Sequence, residues 1–123
     1  VKLAFTVPVK PIGVNAAYKP VRWGNRVGFA KTGECLAYQD AIVLAARRAM
    51  GAQKWLSMEG RAAVNVRFYF ATLGSDIDGP IKPTLDAIAK AGVVWNDNRV
   101  RELHVYKPDP DGRERVEVEV VEL

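Results

Sequence analysis

Three stretches of the chain alternate apolar and polar residues with the two-residue period of a strand that buries one face. Leu3, Phe5 and Val7 alternate with Lys2, Ala4 and Thr6 until Pro8 and Pro11 stop the run. Val64, Val66, Phe68 and Phe70 alternate with Ala63, Asn65, Arg67 and Tyr69. Val116, Val118 and Val120 alternate with Glu117 and Glu119, in a strand expected over 113–121. A further strand is expected over 100–107, and between these last two Pro108, Asp109, Pro110, Asp111 and Gly112 form a strong turn signal.

Two segments follow the helical period instead. Thr32 suits an N-cap, Glu34 a first turn and Gly51 a stop, so the pattern predicts a helix over 33–50. Its apolar face runs through Cys35, Tyr38, Ile42, Ala45 and Ala49. Pro80 and Pro83 stand where a second helix starts, Leu85, Ile88 and Ala89 give it a short apolar face, and Gly92 ends it. From Gly13 to Lys31 the chain is too polar and irregular for core, with a turn at Gly24 and Asn25. The expected fold is α+β: a single domain over 1–123, with one mixed, mostly antiparallel sheet covered by two helices.

Composition agrees with a globular domain, at 49% hydrophobic and 26% charged residues over 123 positions. A lone cysteine, Cys35, makes no internal disulfide, and no leader or long apolar run is read; a reducing, cytoplasmic, nucleoid-associated setting and no membrane partner are expected. The net charge of +4 is unevenly spread. Lys2, Lys10, Lys19, Arg22, Arg26 and Lys31 all precede the first acidic residue, Glu34, whereas the end of the chain is mainly acidic. A basic first quarter suits a polyanionic partner, with Lys19, Arg22, Arg26 and Lys31 on phosphates and Tyr18, Trp23 or Phe29 against bases or sugars. A solvated face with uneven charge is the alternative.

The carboxylates are also unevenly placed. Between Cys35 and Arg101 only six residues are acidic, and four of them are Asp76, Asp78, Asp86 and Asp97. Carboxylates drawn together repel unless a cation neutralises them. A helix over 81–91 rises about 15 Å, and the chain from Gly92 to Asp97 spans at most ~18 Å. Asp97 is therefore expected to return beside Asp76 and Asp78. Convergent carboxylates suit Mg²⁺, with Mn²⁺ as a substitute, better than zinc, for which His104 and Cys35 are too few. Mg²⁺ held by carboxylates points to phosphoryl chemistry, and Lys82 can offset charge on a phosphate. As alternatives, Asp76 and Asp78 initiate a turn, Asp97 is a turn residue, and Lys82 only pairs with Asp86 one helical turn on. Asp86 has Lys82 and Lys90 four residues either side, and a structural ion pair competes with a site role there. Trp55 and Trp95 read as core or interface residues and His104 as structural.

The run Asp76-Ile77-Asp78-Gly79-Pro80-Ile81-Lys82, then Asp86-Ala87, Gly92 and Asn96-Asp97-Asn98-Arg99-Val100, resembles the signature of RusA-type Holliday-junction resolvases. Phe5, Pro11, Asn15, Tyr18 and the segment from Thr32 to Asp40 resemble that family's opening. The resemblance implies a homodimeric, Mg²⁺-dependent endonuclease that cuts two strands of a four-way DNA junction symmetrically. It puts Asp76, Asp78 and Asp97 at the metal-binding positions and Lys82 at that of a lysine needed for cleavage. Two departures stand out: Gly79 replaces an Asn, and Asn96-Asp97-Asn98-Arg99 replaces Asp-Asp-x-Gln. Rival readings are a non-catalytic branched-DNA-binding module with a degenerate metal site, and a metal-dependent phosphohydrolase acting on nucleotides.

Overall fold

The computed structural model describes residues 2–51, 55–56 and 59–123. Strand β1 (Lys2–Val7) leads to a short helix α1 (Val14–Ala17) and to a hairpin of β2 (Tyr18–Trp23) and β3 (Arg26–Lys31). Helix α2 (Gly33–Met50), strand β4 (Ala62–Tyr69), helix α3 (Ile81–Ala91), strand β5 (Val100–Tyr106) and strand β6 (Arg115–Glu122) follow. The main sheet has the order β1-β6-β4-β5. Its β1–β6 and β6–β4 pairs are antiparallel and its β4–β5 pair is parallel, so the expected mixed, mostly antiparallel sheet is present.

Two features differ from the sequence reading. The segment from Gly13 to Lys31 forms its own two-stranded sheet and a third, four-residue helix. The turn at Pro108 to Gly112 does not join paired neighbours, because β4 lies between β5 and β6 and the connection passes over its end. Turn residues dictate where the chain reverses; the long apolar face of β4, open to both sides, decides which strands flank it.

The core forms where the apolar faces meet. Leu3, Val7, Val64, Val66, Phe68, Val116, Val118 and Val120 are buried against α2 and α3, each large side chain contributing about 1.5–3 kcal/mol. The opposite face of the sheet is polar: Asn65 donates to Glu119 at 3.3 Å, Arg115 lies 3.6 Å over the Tyr69 ring, and Arg67 lies over Tyr106. One layer of helices therefore covers one face only.

Helix α2 spans the expected range and starts as expected: the Thr32 hydroxyl accepts from the Cys35 N–H at 3.1 Å. The same hydroxyl donates to the Ala16 carbonyl, and the Thr32 N–H donates to Ala17, so one residue ties α1, the hairpin and α2 together. The buried face of α2 is rotated from the expected one: Gln39, Val43 and Ala46 are buried, while Ala49 is exposed. The reason is α3, which packs on that side. Tyr38 shares a 2.7 Å hydrogen bond with Thr84, and the Gln39 amide donates to the Pro83 carbonyl at 3.0 Å. Helix α3 ends at Gly92, whose φ of 89° allows the Val93 N–H to reach back to the Ile88 carbonyl. Among the described residues no helix is long and apolar enough to cross a membrane.

Candidate active site

The chain leaves the end of β4 at Phe70 and runs as a loop over 71–80 before α3 begins. Two braces hold this loop. The Lys107 ammonium, just past β5, donates to the carbonyls of Leu73 at 2.9 Å and Ser75 at 2.6 Å. At the other end Gly79 sits against Gly13 and Val14 so closely that a Cβ there would lie 3.2 Å from their backbone atoms. A side chain at 79 would push the two loops apart, which gives a physical reason for glycine where the resemblance calls for Asn.

Between the braces, Asp76 and Asp78 are exposed at the rim of a cavity of about 560 Å³. Residues 77–80 are a turn, and both carboxylates border the same space. Glu34, from the first turn of α2, borders it too, and the buried side chains of Ile12, Tyr38 and Phe70 line its interior. Sequence reading missed Glu34, Lys107 and the contact between Gly79 and Gly13. The sequence marks Glu34 only as a helix-start residue, and no pattern along the chain signals that it borders the cavity.

Asp97 takes a different place. It opens a 3-10 turn (Asp97–Arg99) capped by Asn96, whose side chain accepts from the Asn98 N–H at 3.1 Å. This turn leads directly into β5, which runs parallel to β4 from Val100 beside Ala62. Ser75 is fixed at the far end of β5 through Lys107. Seven residue steps separate Val100 from Lys107, which at about 3.3 Å each puts Asp97 on the order of 20 Å from Asp76. Among the described residues no three His, Cys, Asp or Glu side chains converge on a point that could hold a metal ion. The return of Asp97 to its own chain's Asp76 and Asp78 is thus not realised. Chain reach permitted it, but the parallel crossover spends the segment after α3 on reaching the start of β5.

Lys82 is on the first turn of α3, largely exposed, with its ammonium 3.8 Å from Asp86. The second partner of Asp86 is Lys31 at 4.0 Å, not Lys90, which pairs with Asp40 of α2 at 3.8 Å. Asp86 therefore spans two cations, one from the hairpin root and one from α3, in the structural ion pair that competed with a site role. Its neighbour Cys35 is buried, and burial pushes the thiol up, with Lys31 opposing and Asp86 adding to the shift. It has no character of a nucleophile.

Lys19, Arg22 and Arg26 are exposed on the β2–β3 hairpin with Trp23, Val27 and Phe29, and no acidic residue occurs in the arm. Gly24, with φ of 60°, takes the first central position of a two-residue turn with the twist that a hairpin needs. Trp55 packs against the core, as expected, while Trp95 is partly exposed. His104 is exposed on β5, 3.4 Å from Glu102, and is not a core residue.

Carboxylates free to hold a cation, a lysine one turn into the adjoining helix and a basic arm are the equipment of a nucleic-acid phosphodiester hydrolase. The family model described as Endodeoxyribonuclease RusA matches residues 8–121, and the chain belongs to that family. Its members are hydrolases that act on Holliday junctions, and they generally depend on a divalent metal. Comparison with curated proteins gives no match.

Proposed function

We propose that this chain is a Mg²⁺-dependent endonuclease that resolves four-way DNA junctions as a homodimer, through two symmetric nicks. The observation that carries the reading is the division of the acidic residues between the two ends of β5. Asp76 and Asp78 carry exposed carboxylates at one cavity, with no ion pair among the described residues, which fits a hard cation with oxygen ligands. Two carboxylates leave such an ion short of anionic ligands, and Asp97 is the residue that completes the set.

Strand β5 is an edge of the main sheet, with Leu103 and Tyr106 exposed on it. Open edges of this kind are usually covered. Antiparallel pairing of β5 with its copy about a two-fold axis would set Asp97 of the partner subunit beside Asp76 and Asp78, twice over. A two-fold dimer also matches two cuts in a symmetric substrate.

When bound, the ion supplies an activated water and polarises the phosphate. Lys82 stabilises charge that develops on the phosphate oxygens, and Asp86 keeps the Lys82 ammonium near the start of α3. Lys19, Arg22, Arg26 and Lys31 hold the flanking duplex by its phosphates, with Trp23 and Phe29 against exposed bases or sugars. Incubation with a synthetic four-way junction and Mg²⁺ tests the reading. Wild type is expected to nick at symmetric positions, Asp76→Asn, Asp78→Asn and Asp97→Asn to bind without cutting, and Lys82→Ala to bind but cut slowly. Tight, Mg²⁺-enhanced binding with no cutting by wild type replaces this reading with that of a non-catalytic junction-binding module.

A further inference from the structure

The cavity beside Asp76 and Asp78 is far larger than a cation needs. At about 560 Å³ it falls within the range typical of small-molecule sites, about 300–1,000 Å³. Its interior is apolar, through Ile12, Tyr38 and Phe70, and its rim carries three carboxylates, Glu34, Asp76 and Asp78, against Lys10. A cation held by Asp76 and Asp78 would keep a phosphate at the rim, so the apolar interior is left to an uncharged group. A flat, neutral ring with N–H donors on its edge suits both the walls and the rim.

We infer that this cavity receives the base of the nucleotide next to the scissile phosphate, unstacked from the junction, and that Glu34 selects cytosine or adenine, whose amino groups lie at the edge where thymine carries a carbonyl. The inference rests on the reading of Asp76 and Asp78 as the cleavage site, because they put that phosphate at the cavity mouth. Unstacking costs least where a base already lacks a neighbour, as at a point of strand exchange. The receiving wall is rigid, since Tyr38 is fixed by its bond to Thr84. A carboxylate acceptor takes a hydrogen bond from the amino group of cytosine or adenine and opposes the carbonyl that thymine offers at the same edge.

The test is cutting of four-way junctions carrying each base in turn, or an abasic nucleotide, at the position next to the mapped cut. Wild type should prefer cytosine or adenine over thymine by roughly tenfold, and Glu34→Ala should lose that preference. Ala37 is exposed and borders the cavity, so Ala37→Trp fills the cavity without overpacking the core. That variant should cut intact junctions roughly tenfold more slowly, with an abasic nucleotide at the critical position restoring the rate. Circular dichroism checks that both variants fold. A wild type that cuts every base equally, or an Ala37→Trp variant whose intact-to-abasic ratio equals that of wild type, overturns the pocket alone. A wild type that cuts no junction at all removes the nuclease reading and this one with it.

Discussion

Mixing two dead variants provides a sharp test of the composite site. Asp76→Asn removes a carboxylate from one end of β5 and Asp97→Asn removes one from the other. Carboxylates that would share one cation must lie within a few ångströms of each other. One chain separates the two residues by on the order of 20 Å along β5, so no adjustment of side chains brings them together. Each variant alone should therefore be inactive as a homodimer, with both of its sites damaged. In a heterodimer both lesions fall in the same site, and the other site is intact. Co-refolding equal amounts yields about half heterodimers, so roughly a quarter of all sites should be active. The assay is a supercoiled cruciform plasmid, on which one intact site gives nicked circles and two give linear product. The mixture should produce nicked circles well above either variant alone, with little linear DNA. If tagged heterodimers form, as native mass spectrometry would show, and still fail to nick, the carboxylates do not combine across subunits and the dimer argument is refuted.

Gly79→Ala should displace the loop bearing Asp76 and Asp78 by a few tenths of an ångström, because its Cβ meets backbone atoms at 3.2 Å; cutting is expected to fall roughly tenfold in single-turnover assays while junction affinity holds. Replacing Lys19, Arg22 and Arg26 together by Ala should lower the slope of log affinity against log salt by about 3, measured by fluorescence anisotropy over a salt series. An unchanged slope would move the DNA path off the hairpin. Burial raises the Tyr38 phenol well above its ordinary value, with the Thr84 hydrogen bond opposing. A group raised in the folded state adds stability that is complete below its unfolded value of about 10 and declines as pH rises beyond it. Urea unfolding should thus show stability falling above pH ~10, and Tyr38→Phe should flatten that decline while costing about 1–2 kcal/mol at neutral pH.

The elements with a clear period were legible in the sequence, because one buried face leaves a repeating trace. Helix α2 begins and ends where Thr32 and Gly51 indicate, α3 runs over the expected residues, and the valines of β6 face the core. The hairpin left no such trace: Val27 and Phe29 project outward, so its strands bury no continuous apolar face. Strand order was equally hidden, since a turn signal records a reversal and not the neighbour that results. The pair Asp76 and Asp78 was visible because two residues in one loop stay together under almost any fold. Asp97 could be placed only once the parallel register of β4 and β5 was known. Chain length bounds a distance from above and says nothing about which way the chain turns.

Lys107 grips the loop bearing Asp76 and Asp78 through two main-chain carbonyls, and that choice is blind to side chains. Any residue at 73 or 75 presents the same oxygen, so the identities there can drift while the loop keeps its position. Leu73, with its side chain largely exposed, is an example of that latitude. The constraint passes instead to position 107, where the side chain must be long and end in several donors to reach both carbonyls. Variation among related chains should accordingly concentrate at 73 and 75 and spare the strand end that holds them.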